Sequence, residues 1–376
     1  SQDTDAERRL SQRNTTIVVR NKKKNDTICN TRVLLQQQQQ LNRTTTTKLS
    51  YDWNNPPTNL SKWARRISDH QSNCTLPVES VRIDNDFGIG AHLALWSQAV
   101  CNGMERRIRI RTENPDWLWM DKFECSAKLS YKSPLLCYLP HCEYNCGLCF
   151  DNDSSNSSLI APDPRDLRKT QCKLLKKEQG KEKEVLLQDF RAASTEYLFA
   201  SGVSSVVIRE AERQIGIMFS GEGVPANLIT VHIRWGDKFW EMDLVSITNY
   251  TNAISSLLVQ TQGHNRTANI FLSTEDPLAE RDFMDAIPPG WNVFLDQTVV
   301  EQSIQRCRPD RGNRASHMAK NTNGKAGLVG FASLLVALEA KLFVLTTASN
   351  WSRLINQLRT QLIDPQCNNC TRMIDL

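Results

Sequence analysis

Apolar and polar positions in the second half of the chain fall into a repeating scheme. Short β-branched runs alternate with longer segments of helical period. Residues 228–233 form one such run, and 269–273, 292–295 and 342–346 have the same character. Between and after them, 247–261, 278–286, 325–340 and 349–361 carry apolar residues at helical spacing. Strands alternating with helices in this way predict a parallel sheet with right-handed crossovers.

The first half is less regular. Pro56-Pro57 stops any earlier element, and Asn59 or Ser61 can cap a short helix through Ile67. Residues 91–101 have a helical period, and 107–111 alternate strictly, as a strand does. With the loop 84–90 in front, this reads as a β-loop-α-β unit. Residues 125–156 are rich in cysteine and contain Pro134 and Pro140, which suggests a stapled surface excursion. Residues 167–219 read as mostly helical. The first fifty residues are polar, with a glutamine tract at 36–40 and a threonine tract at 44–47, and read as a stem or linker. The expected class is α/β: a stem over 1–52, an α/β domain with a cysteine-rich insertion over 53–220, and a Rossmann-like domain over 221–376, the two domains facing a cleft.

Composition narrows the setting. A chain of 376 residues with 40% hydrophobic and 23% charged residues can bury a sizeable core. The net charge of +5 suits a small anionic substrate. It does not point to nucleic acid, because the basic run 165–183 is broken by Glu178 and Glu182 and lacks interleaved aromatics. Twelve cysteines and frequent Asn-x-Ser/Thr sequons favour the lumen of the secretory pathway. Cys142, Cys146 and Cys149, and the pair Cys367-x-x-Cys370, could be zinc ligands or redox pairs. No histidine lies at finger spacing, so disulfides are the favoured reading. The start Ser1-Gln2-Asp3 is not a natural initiation, and an N-terminal membrane anchor is expected upstream.

The candidate chemistry begins where the strand 228–233 ends in Arg234-Trp235-Gly236-Asp237-Lys238. Ligands of open α/β sheets bind at the carboxyl ends of the strands. A guanidinium fork there matches the oxygens of a phosphate or diphosphate.

His232-x-Arg234-x-x-Asp237-Lys238 resembles the first signature of the α1,6-fucosyltransferases and their relatives, the protein O-fucosyltransferases among them. Residues 271–277, Phe-Leu-Ser-Thr-Glu-Asp-Pro, are similar to the second signature, and 343–353 to the third. Gly88 and Gly90 resemble the Gly-x-Gly loop of the amino-terminal half. The resemblance spans 74–353. It implies a GT-B-like fold with two Rossmann-like domains. It also implies inverting, metal-independent transfer of fucose from GDP-fucose to a hydroxyl of a glycan or glycoprotein, such as an N-glycan core, by a type II membrane-anchored enzyme of the Golgi lumen. No cofactor beyond the donor substrate is implied, and no metal.

The resemblance also assigns roles. Arg234 would contact the β-phosphate and His232 the nucleotide. Lys238 and a nearby carboxylate would activate the acceptor. The family's glutamate falls on Met242, so Glu241 or Asp243 must serve, and the downstream register of Ile247 favours Glu241. Asp237 beside two cations is suited to orienting Arg234. Ser349, Asn350 and Trp351 begin a helix whose N–H groups would cradle phosphate. Gly88 and Gly90 would let the opposite backbone approach the diphosphate. Glu275, Asp276 and Arg353 would support the site. Asn350 also heads a sequon and is expected to be buried at the cleft. Two positions depart from the family: Trp235 replaces a second arginine, and the acidic residue that reads guanine falls near Ser333. Other readings remain open: a different sugar nucleotide, a metal-dependent transferase using Asp84-Asn85-Asp86 or Asp151-Asn152-Asp153, or an inactive glycan-binding protein.

Overall fold

The computed structural model describes residues 48–56, 59–83, 87–114, 116–125, 133–140, 183–235, 242–262, 267–298 and 315–376. These contain two parallel sheets and the helices packed on them, so the α/β class expected from the sequence is the one observed.

Helix α1 (Lys62–Gln71) starts where the sequence places a cap: the Ser61 hydroxyl accepts the Ala64 N–H at 3.4 Å. It buries Trp63, Ala64 and Ile67. A four-residue strand β1 (Val78–Val81), helix α2 (Ile89–Arg106) and strand β2 (Arg109–Thr112) follow, with β1 and β2 parallel. The strand starts at Arg109, later than the alternation of 107–111 suggests. The preceding helix runs to Arg106, and Arg107 ends it in the left-handed conformation at φ 58°. Gln71 seals β2 from the side. Its amide donates to the Ile110 carbonyl at 3.0 Å and accepts the Ile110 N–H at 3.2 Å, as a neighbouring strand would.

One correction concerns the middle of the chain. Residues 133–139 are not a surface excursion. Pro134–Cys137 form a 3-10 turn, and Pro134 through Leu139 are buried in the core, stapled by the Cys125–Cys137 disulfide. Further on, the mostly helical reading of 167–219 holds where residues are described. Helices α3 (Lys183–Ala200) and α4 (Ser205–Met218) are separated by a turn in which Gly202 takes φ 98°.

The larger sheet holds β3 (Leu228–Ile233), β4 (Ala268–Thr274), β5 (Trp291–Leu295), β6 (Leu342–Leu345) and β7 (Arg372–Asp375), in spatial order β5-β4-β3-β6-β7, all parallel. Helices α5 (Ile247–Gln262), α6 (Pro277–Ala286), α7 (Ala315–Asn321), α8 (Lys325–Ala337) and α9 (Asn350–Leu358) accompany it. The chain grows from β3 in one direction through β4 and β5, then returns to the other side of β3 for β6 and β7. That reversal puts the topological switch point between β3 and β6.

Alternation along β3 sorts its side chains between two cores. Ile229, Val231 and Ile233 join a cluster with Tyr250, Ile254 and Phe283. The opposite face belongs to a larger core that includes Trp53, Trp96, Phe199, Phe331 and Leu354 and runs without a break across residue 220. Two glycines set how closely helix α8 and the 117–121 segment meet. A Cβ on Gly324 would overlap the Met120 carbonyl, and one on Gly327 the Trp119 carbonyl. Among the described residues no helix is long and apolar enough to cross a membrane.

Candidate active site

The carboxyl edge of the five-stranded sheet gathers most of the chain's candidate chemistry. Even-numbered residues of β3 face the α8 and α9 side: the Thr230 hydroxyl donates to the Ala337 carbonyl at 2.6 Å, and His232 meets Ser352 of α9. Arg234 continues that face. Its side chain is 12% exposed and forms an ion pair with Glu275, which stands just beyond β4, next to the Ile233–Thr274 pair of the ladder. Glu275 is thus placed to orient the guanidinium. Asp237, Lys238 and Glu241 lie outside the described residues. Asp243 is exposed. One Nη of Arg234 also donates to the Trp235 carbonyl at 3.3 Å.

His232 is a core histidine. Its Nδ1 lies 2.6 Å from the Ser352 hydroxyl, which also accepts the Thr346 N–H at 3.1 Å. Burial, with Arg234's charge beside it, pushes its imidazole down to about 3, so the ring is neutral. The side chain is buried beneath the edge. Sequence reasoning missed the partners of this pair. Tyr250 of α5 takes the backbone N–H of Arg234 and shares a 2.6 Å hydrogen bond with Thr346. Burial is the main cause raising its phenol above the ordinary value. The ends of β3 and β6 are therefore tied together through side chains from α5 and α9.

Helix α9 begins at the same edge. Ser349 occupies its N-cap position, but its hydroxyl makes no capping bond. Asn350 is half-buried rather than buried, and its Oδ1 accepts from Arg353 at 2.7 Å. Arg353 also donates to the Thr347 carbonyl at 2.9 Å, and Asp375 of β7 accepts both the N–H and the hydroxyl of Thr347. The loop from β6 into α9 is thus fixed from both sides. Trp351 packs against the larger core. Asp276 caps α6 by accepting the Leu278 N–H at 2.7 Å, so its role here is structural.

The two glycines of the amino-terminal loop separate. Gly90 lies against α9, with a Cβ there 3.0 Å from the Asn350 carbonyl group, so its smallness serves helix packing. Gly88 opens α2, and among the described residues nothing lies within 4 Å of its Cβ position. The starts of α2 and α9 therefore meet at the edge that carries Arg234.

Ser333 is buried on α8, and its hydroxyl donates to Asp296 at 2.6 Å. Asp296 also accepts from Ser273 at 2.8 Å and from the N–H and hydroxyl of Thr298. A carboxylate does stand at this place, but it comes from the end of β5, and its lone pairs are taken up by its own neighbours. Elsewhere, Asp364, Cys367 and Cys370 come together as metal ligands would. The two cysteines are joined as a disulfide, and Asp364 is engaged by Arg359 and Thr371. The Asp84 and Asp151 motifs lie outside the described residues.

Solved fucosyltransferases are similar to this chain in structure. NodZ α1,6-fucosyltransferase co-crystallised with GDP aligns with a TM-score of 0.37 and 11% identity, over 75% of this chain and 92% of that one. NodZ from Bradyrhizobium gives 0.38 and 12%, over 74% and 92%. The apo form of POFUT1 gives 0.36 and 12%, over 80% and 99%. No protein-family model matches the chain, and no curated protein sequence does. Likeness at this level does not establish a shared activity.

Proposed function

We propose that the chain is a glycosyltransferase that binds a nucleoside diphosphate sugar at the carboxyl edge of its five-stranded sheet. The observation that carries this reading is the position of Arg234. Arg234 follows the central parallel strand, whose neighbour β6 across the switch point leads into α9, and its guanidinium pairs with Glu275 beyond β4. This is where an open α/β sheet holds a phosphorylated ligand, and both the fork and the helix N–H groups suit a diphosphate. As the glycosidic bond breaks, negative charge gathers on the leaving diphosphate, and a preformed guanidinium stabilises it without reorganisation. Glu275 holds that guanidinium in place until donor arrives.

The finer reading is an inverting, metal-independent fucosyltransferase using GDP-fucose and a glycan hydroxyl, acting in the Golgi lumen. It draws on the sequence motifs that meet at this edge. Lys238 and Glu241 or Asp243 would take the acceptor's proton. The test is a transfer assay with GDP-fucose in excess EDTA. Full activity is expected. Activity lost on chelation and restored by manganese would overturn metal independence and favour the Asp84-Asn85-Asp86 alternative. Donor binding without transfer to any glycan would favour the binding-protein reading.

A further inference from the structure

The loop that joins β6 to α9 covers residues 346–349, and charged side chains from two elements hold its second residue. The Thr347 N–H donates to Oδ1 of Asp375 at 2.8 Å, and the Thr347 hydroxyl donates to Oδ2 of the same carboxylate. The Thr347 carbonyl accepts from one Nη of Arg353 at 2.9 Å, and the other Nη donates to Asn350 at 2.7 Å. Every polar group of Thr347 is therefore engaged. Strand register places Asp375 for this task. It pairs with Leu345, the last residue of β6, on the four-residue edge strand β7.

A carboxylate is an unexpected finish for an edge read as an anion site, since its charge opposes a diphosphate. Both of its oxygens, however, are spent on one loop residue. That loop carries the start of α9. Ser349 there is 3% exposed, and its hydroxyl has no partner among the described residues. A buried hydroxyl left unpaired is costly, so its place favours an incoming acceptor such as a phosphate oxygen. The first N–H groups of α9, which no helical carbonyl can take, follow it directly.

We propose that Asp375 is a positioning residue for the donor. By gripping Thr347 it holds the 346–349 loop, so that the Ser349 hydroxyl and the first N–H groups of α9 meet the diphosphate without rearrangement. Groups held in place beforehand bind more tightly, because the cost of ordering them is not met on binding. This rests on the functional reading above, and GDP binding to the unaltered protein tests that reading separately.

Three variants separate the possibilities. Asp375→Ala removes both bonds. Asp375→Asn keeps them, since its amide oxygen accepts the Thr347 N–H and its amide nitrogen donates to the Thr347 hydroxyl oxygen, but it loses charge and basicity. Thr347→Val removes only the hydroxyl bond and keeps the side-chain shape, so it covers the case in which Asp375→Ala fails to fold. GDP affinity, turnover and acceptor KM with GDP-fucose, and amide hydrogen exchange across 346–352 are measured on each.

The expected result for Asp375→Ala is GDP affinity about tenfold weaker, faster exchange in that segment and an unchanged acceptor KM. Asp375→Asn should stay within about threefold of the unaltered protein in affinity and turnover, and Thr347→Val should fall between the two. Unchanged GDP affinity in folded Asp375→Ala or in Thr347→Val would overturn the proposal. So would turnover lost in Asp375→Asn with GDP affinity intact, which would make Asp375 a proton acceptor instead. If the unaltered protein binds no GDP, the functional reading fails, and hydrogen exchange alone then decides the grip: faster exchange across 346–352 upholds it and unchanged exchange refutes it.

Discussion

The carboxyl edges of the two parallel sheets are finished in different chemistry. At the larger sheet, Arg234, Glu275, Asp296 and Asp375 stand at strand ends among the hydroxyls of Ser273, Thr346 and Ser352. At the smaller sheet, Arg111 and Glu113 stand at the end of β2, and the described residues that follow the strands close neutral polar groups on one another. Asn114 donates to the Ile83 carbonyl at 2.8 Å, Trp117 to His92 Nδ1 at 2.9 Å, and Trp119 to the Phe87 carbonyl at 2.9 Å. Tyr138 bridges the Trp119 carbonyl and the Asp121 N–H from beneath. Charge held half-buried is costly unless paired, so an edge that keeps it is arranged around a charged partner. Beside the smaller sheet, the 117–121 segment forms a packed platform pressed on Gly324 and Gly327. On the proposed reading the first edge receives a ligand, while the segment beside the second holds shape.

This difference can be broken from either side. The largest effect is expected at Arg234. Arg234→Lys keeps the charge and loses the fork, and turnover should fall by about a hundredfold or more in a protein that still folds. Near-normal turnover would make the arginine structural.

Exchange of the candidate bases comes next. Glu241→Gln should abolish transfer while donor affinity stays, and Asp243→Asn should be milder. The reverse order would move the base two residues, and no effect from either would remove it from this segment. Paired donor-binding and rate measurements decide.

On the sealed side, Gly327→Ala should cost about 3 kcal/mol, because its Cβ overlaps backbone that cannot move away without displacing the platform. Urea unfolding of the variant reads this, and an unchanged midpoint would show that the platform is loose.

His232 links the charged edge to pH. Its imidazole is pushed down, so the stability it contributes is complete above its ordinary value and lost as pH falls toward about 3. Near pH 5 the loss should be ~2 kcal/mol, and His232→Asn should lack that part of the acid sensitivity. Identical pH profiles would mean that the ring is not buried neutral.

The smallest effect is expected at Glu196 in the neighbouring core. It accepts the Ser61 N–H at 2.7 Å, and burial holds its carboxyl above the usual range. A raised carboxyl opposes folding as pH rises through its folded value. Glu196→Gln should therefore equal or exceed the unaltered protein in stability at neutral pH, with the gap closing as pH falls. A large loss at neutral pH would show that the carboxylate is needed as such.

Much of the charged edge was legible in the sequence, because β3, β4, β5 and β6 are short apolar runs bounded by polar turns. The candidate motifs sit at their ends. The partners that hold those motifs were not legible. Ser352, Tyr250 and Asp375 come from α9, α5 and β7, brought in by packing that no local pattern records. Strands Val78–Val81 and Arg372–Asp375 are four residues long and half polar, too short to show a period. The segment 133–139 was misread because proline and cysteine are as common in loops as in stapled cores. Its run Pro-Leu-Leu-Cys-Tyr-Leu was the signal for burial. Gly90 and Gly327 are glycines for packing, which sequence alone cannot separate from glycines that admit a ligand.

The central claim is that the Arg234 edge binds a nucleoside diphosphate. Isothermal titration of GDP into the protein in EDTA, repeated on Arg234→Lys, tests it most directly. Saturable binding to the unaltered protein, weakened at least about tenfold in the variant, is the predicted result. No binding, or equal binding to both proteins, would contradict it.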